Sequence, residues 1–224
     1  MSEIVPTKIG GMEAATVDVR GARDLAPYLL ERGVMRPAPA EFYAQATVVE
    51  RALFGQRHGI YGFITWELID WLRNRIGDRK AIEIGAGHGA LAAALEIPAT
   101  DSKMQDDPMV AALYAAHGQP TVTYGPNVEK LDAKAAIRKH RPEVVIASWV
   151  THKYREARHF AGGNMFGVNE EEVIARCDEY IFIGNQRVHS GKSIWDLPHE
   201  IIYPEWLYSR AHNGTPEFIA VWKK

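Results

Sequence analysis

The chain has one cysteine, Cys177, among 224 residues. It can form no intramolecular disulfide and no cysteine zinc cluster, and a reducing compartment suits it. Long apolar runs are missing as well. No stretch approaches the ~18 apolar residues of a membrane helix, and Met1 to Gly11 has no apolar core of signal-peptide length. Neither sign of charge is in excess: 26 Lys plus Arg face 28 Asp plus Glu, a formal net charge of -2. Domains built to grip phosphate backbones show a basic surplus, so this balance points away from nucleic acid. Internal repeats, low-complexity tracts and long charge runs are absent too. What is present, 46% hydrophobic and 24% charged residues, is the composition of a soluble folded domain, expected in the cytoplasm.

The first 60 residues differ in texture from the rest. Ala22 to Arg32 carries Leu25, Leu29 and Leu30 at helical spacing, and Arg36-Pro37-Ala38-Pro39 breaks what precedes it. Glu41 to Leu53 reads as a second helix, and Thr65 caps a third with the stripe Trp66, Ile69, Leu72 and Ile76. This predicts an N-terminal helical cap over residues 1–60. From Lys80 onward short apolar runs alternate with helical patterns. Strands are expected at Lys80 to Ile84, Ile97 to Thr100, Thr121 to Tyr124, Glu143 to Trp149 and Tyr180 to Gly184. Trp206 to Arg210 and Phe218 to Trp222 complete the set, joined by a turn containing Asn213-Gly214. Such alternation implies an α/β domain over residues 61–224, with a doubly wound, mostly parallel sheet covered on both faces. Thr151 to Asn169 is long for a connection and reads as an ordered functional loop.

The sharpest feature is Ala81-Ile82-Glu83-Ile84-Gly85-Ala86-Gly87-His88-Gly89-Ala90. Glycines directly after a strand allow a tight turn and a close approach to a ligand, and the next helix aims its free amides at that ligand. Nicotinamide sites use a similar loop to cradle a pyrophosphate. Glu83, inside the strand, would oppose that anion and suits a cationic ligand, an ammonium or a sulfonium. Asp101 follows the second strand, where a carboxylate can accept both hydroxyls of a ribose; the alternative is a helix cap by Asp101-Ser102.

These residues resemble the class I S-adenosylmethionine-dependent methyltransferases. Glu83-Ile84-Gly85-Ala86-Gly87-His88-Gly89 is similar to that superfamily's first motif, and Asp101-Ser102 to the acidic end of its second strand. Tyr124 to Asp132 resembles the segment after its third strand. That resemblance makes Asn127 and Val128 adenine contacts; by itself Asn127 reads equally as a turn residue. It also implies a seven-stranded sheet ending in an antiparallel hairpin, S-adenosyl-L-methionine as cosubstrate, and Ser148 and Trp149, at the end of the fourth strand, facing the transferred methyl. The 18 positions from Glu83 to Asp101 require a short first helix.

Methyl transfer from a sulfonium is mainly a matter of alignment, with a base needed only where the acceptor must lose a proton. His152 is the preferred base because imidazole titrates near neutrality, and Tyr154 lies beside it. His189 and His88 are further candidates. Nine histidines contain no His-x-x-x-His pair, so no metal is expected. Ala147-Ser148-Trp149-Val150 stands where nucleic-acid amino-methyltransferases carry an Asn/Asp-Pro-Pro-aromatic motif. The expected acceptor is therefore an O or N atom of a small molecule. The alternatives are a non-catalytic nucleoside-binding protein, an RNA or DNA methyltransferase and, against Glu83, a nicotinamide-dependent oxidoreductase. Lys153, Arg155, Arg158 and His159 form a small basic cluster that reads as a solvated loop face.

Overall fold

The apolar runs after residue 80 form the centre of a seven-stranded sheet in a computed structural model that describes residues 4–9, 12–17 and 19–224. In chain order the N-terminal part holds β1 (Ile4–Ile9), β2 (Met12–Val17), α1 (Ala26–Leu29), β3 (Leu30–Glu31), β4 (Val34–Met35), α2 (Ala40–Gln45) and α3 (Val48–Arg57). There follow α4 (Trp66–Ile76), β5 (Ala81–Ile84), α5 (Ala90–Leu95), β6 (Ala99–Asp101), α6 (Pro108–Ala116), β7 (Val128–Lys130), α7 (Ala133–His140) and β8 (Val144–Ser148). The chain closes with α8 (Glu170–Ile174), β9 (Glu179–Asn185), β10 (Glu200–Ile202) and β11 (Glu217–Lys223).

The sheet order is β10-β11-β9-β8-β5-β6-β7. Strands β7, β6, β5, β8 and β9 run parallel, while β11 is antiparallel to both β9 and β10. This is the expected doubly wound, mostly parallel sheet with a C-terminal antiparallel hairpin. Alternate residues of the central strands enter opposite cores, as a pleat requires. Val144 and Ile146 pack with α4, α5 and the N-terminal segment, whereas Val145 and Ala147 pack with α7 and α8. As the spacing required, α5 has only six residues. By contrast, α6 is made of Pro, Met, Val, Ala, Leu and Tyr yet has no buried residue. Among the described residues no helix is long and apolar enough to cross a membrane.

Several expectations are corrected. Thr121 to Tyr124 is not a strand; β7, the third strand, lies at Val128–Lys130 and pairs with β6. Trp206 to Arg210 does not pair with β11; its Ser209 makes a single bridge to Gly62, and the hairpin partner is β10. The N-terminal 60 residues are not purely helical, since they contain the hairpins β1–β2 and β3–β4, and the helix expected over Ala22 to Arg32 is confined to α1. Glu41 to Leu53 is interrupted at Ala46-Thr47. There Thr47 starts α3 with a reciprocal capping box, its hydroxyl accepting from Glu50 N and Glu50 accepting from Thr47 N. Leu25, Leu29, Tyr43, Phe54 and Phe63 share one core with α4 and the sheet. Met1–Glu3, Gly10, Gly11 and Asp18 lie outside the described residues.

Candidate active site

The chain leaves β5 into a turn that only glycine adopts easily. Gly85 has φ +59°, and a Cβ there would lie 2.4 Å from Val150 Cγ1. Gly89 has φ +73°, with Val128 Cγ2 2.5 Å from a Cβ position. Below the turn, Glu83 is 2% exposed and its Oε2 accepts the Ala92 amide of α5 at 2.9 Å. Burial, with Asp101 adding like charge, pushes its carboxyl up to about 8. Asp101, at the end of β6, accepts from Gly87 N at 3.0 Å and from Lys103 N at 2.7 Å. It thus pins the loop while a carboxylate's further lone pairs remain for other donors. Burial raises its pKa as well.

Glu83, Gly85, Ala86, Gly87, Asp101 and Ser102 line one cavity. Met104, Gln105, Val122 and Tyr124 close its wall beside β6, and Ser148 and Trp149 line it where β8 ends. The wall is hydrogen-bonded together: Gln105 N donates to the Tyr124 hydroxyl at 3.3 Å, Val122 N to Gln105 Oε1 at 2.7 Å, and Gln105 Nε2 to the Tyr114 hydroxyl at 3.2 Å. Trp149 has φ +59°, unusual for a bulky residue and a hallmark of strained functional positions. Its indole sits between Tyr61, ring centroids 6.1 Å apart, and His189 at 5.0 Å.

Other predicted residues stand elsewhere. Gly89, Asn127 and Val128 do not line the cavity; Asn127 precedes β7 and donates to the Gly89 carbonyl at 3.1 Å, so it braces the loop. His152 and Tyr154 are outside the lining too. His152 lies in the Thr151 to Asn169 loop, bridged to Val168, and burial and Lys192 lower its pKa. Tyr154 is exposed and its hydroxyl meets His159 Nδ1 at 3.0 Å. His189 is buried, accepts the Asn185 amide at 2.9 Å and is lowered to about 3 by burial, a structural position. His88 lines the cavity and burial lowers it to about 4. The basic cluster is answered by acids, Arg155 by Glu171 and Arg158 by Asp196.

The cavity also brings in residues no motif marked: Tyr61 and Gly62, Tyr208, and Glu217 at the start of β11. Residues 61–63 and 208–210 are held together by Phe63 N to Tyr208 O at 3.0 Å and Arg210 N to Tyr61 O at 3.0 Å. Arg210 lies 3.8 Å over the Tyr61 ring. These positions meet only through tertiary pairing, and a polar residue opening an apolar strand is too common a pattern to flag them.

No protein-family model and no curated protein matches the chain. Solved structures similar to it include an rRNA methylase from Streptococcus thermophilus, 13% identical with a TM-score of 0.39, the match covering 70% of this chain and 93% of that one. A precorrin-8w decarboxylase from Methanobacterium thermoautotrophicum is 12% identical with a TM-score of 0.38, over 71% and 91% of the two chains. A SAM-dependent O-methyltransferase from Thermotoga maritima is 12% identical with a TM-score of 0.37, over 79% and 71%.

Proposed function

We propose that the chain is an S-adenosylmethionine-dependent methyltransferase acting on a small molecule. The observation that carries the reading is the buried Glu83 carboxyl directly under the glycine loop, in one cavity with Asp101. A carboxylate in that place attracts a cationic amino-acid moiety and repels a pyrophosphate. Asp101 accepts the ribose hydroxyls, and Met104, Val122 and Tyr124 enclose the base. The cosubstrate supplies an electrophilic methyl on sulfur. Protein groups hold it against the end of β8, where Ser148 and Trp149 bound the space for an acceptor. Residues 1–60 serve as the cover of that space, and the chain continues from them into Tyr61 to Ile64 in its wall.

Calorimetric titration with S-adenosylhomocysteine tests this. One equivalent is expected to bind, and Glu83→Gln and Asp101→Ala are each expected to weaken binding by about tenfold or more, the loss of one charge-assisted contact. No heat and no thermal stabilisation at about 1 mM ligand would sink the reading.

A further inference from the structure

Glu217 stands at the end of the cavity away from Asp101. It opens β11, in register with Asn185 at the end of β9. With strands ~4.8 Å apart, β11 lies two strands, ~10 Å, beyond β8, on the side opposite β5 and β6. Its Oε1 accepts from Ser209 Oγ at 2.5 Å and from Asn185 Nδ2 at 3.3 Å. Its Oε2 is buried and has no hydrogen-bond partner among the described residues. Arg51 of α3 is the cation that acts on it, but that guanidinium donates to the carbonyls of Tyr43 and Ala46.

An unsatisfied buried acceptor is destabilising, so a free oxygen held in place by two donors on its sister atom is an unusual arrangement to retain. The cavity's charge sharpens the argument. Glu83, Asp101 and Glu217 line it, and no Lys or Arg does among the described residues. That lining disfavours a carboxylate or phosphate on the acceptor. Tyr61, Trp149 and Tyr208 line it too; Arg210 lies over the Tyr61 ring and Arg51 over the Tyr208 ring, which leaves the Trp149 indole without a guanidinium stacked on it among the described residues.

We propose that Glu217 Oε2 is the recognition group for the methyl acceptor, and that this acceptor is a small amine arriving as its ammonium form. The proposal rests on the methyl-transfer reading. In the step, an ammonium proton moves to Glu217 Oε2 and frees the nitrogen lone pair. That lone pair bonds to the methyl carbon as the C–S bond breaks and its electron pair stays on sulfur. Positive charge thus passes from sulfur to the N-methylated product, and Glu217 returns its proton to water. Burial, offset by Ser209, Asn185 and Arg51, places the Glu217 carboxyl at about 7, suited to taking and returning a proton near neutrality.

The test uses three probes of one shape: benzylamine, benzyl alcohol and benzoate, titrated by ligand-observed NMR into the protein with and without S-adenosylhomocysteine. Benzylamine is expected to bind at least tenfold more tightly than the alcohol, benzoate not at all, and amine binding to strengthen as pH rises through about 7. Glu217→Gln keeps the shape and the Ser209 contact. It should abolish the amine preference while leaving S-adenosylhomocysteine affinity within twofold. Equal binding of benzoate and benzylamine, or no binding of any probe at about 10 mM, overturns the proposal. The selectivity of the unaltered protein decides the matter even if the variant fails to fold. Failure of S-adenosylhomocysteine to bind, with amine selectivity intact, would instead remove the methyl-transfer reading.

Discussion

Glu83 links the site to the stability of the fold. Its carboxyl ordinarily titrates at 4.5 and is raised to about 8 in the folded chain, so the native state keeps a proton that the unfolded chain has lost. Its stabilising contribution is thus fully present below pH 4.5 and is lost as pH climbs through about 8. Glu83→Gln should therefore flatten the decline of Tm between pH 5 and 9, read by scanning calorimetry, while weakening ligand binding. In the unaltered protein a cationic ligand must displace that proton. Of the site, Glu83, the glycines and Asp101 were legible because backbone necessity ties them to neighbouring positions. Residue type alone does not separate the two roles of Asn127, because a side chain that braces the Gly89 carbonyl has the same chemistry as one that contacts a base. Glu217 and Tyr61 carried no signal, because only the folded sheet makes them neighbours.

At the scale of elements, legibility tracked burial. Strands β5 and β9 are buried at every position and β8 at all but its last; β8 is apolar up to Ser148, β9 is apolar between Glu179 and Asn185, and β5 is interrupted only by Glu83. The two misread strands are the sheet's edges. Glu200-Ile201-Ile202 is wholly exposed, and Val128-Glu129-Lys130 buries only its first residue. Edge strands are specified by pairing more than by hydrophobicity, and Thr121 to Tyr124 outscored the real strand on composition alone. The exit of β8 is set by a buried ion pair. Lys192 Nζ, 0% exposed, meets Glu170 Oε2 at 2.5 Å and donates to the Val150 carbonyl at 2.9 Å, and the Tyr180 hydroxyl holds Glu170 Oε1 at 2.7 Å. Removing one partner leaves a buried charge. Lys192→Met is expected to cost about 3–5 kcal/mol in urea unfolding, and the neutral pair Lys192→Met with Glu170→Gln to recover most of it. Equal losses in both variants would show that packing, not the charge, sets the cost.

Across the whole molecule the distribution of buried surface is uneven. One core joins residues from Leu25 to Val221 through the sheet, whereas α6 contributes no buried residue. Amide exchange should follow that division. The central strands are expected to exchange only by global unfolding, and α6 about a hundredfold faster or more, through local opening. Uniform exchange rates would contradict this. The clustering of carboxyls in one cavity also bears on the protein's behaviour in solution. The formal charge of -2 counts Glu83 and Glu217 as ionised. With these titrating at about 8 and about 7, the free protein at pH 7 carries roughly one and a half fewer negative charges than the count. His88 and His189, held down to about 4 and about 3, stay neutral where ordinary imidazoles would begin to charge, so the folded chain gives up positive as well as negative charge and its titration leaves the isoelectric point close to the sequence value of 6.5.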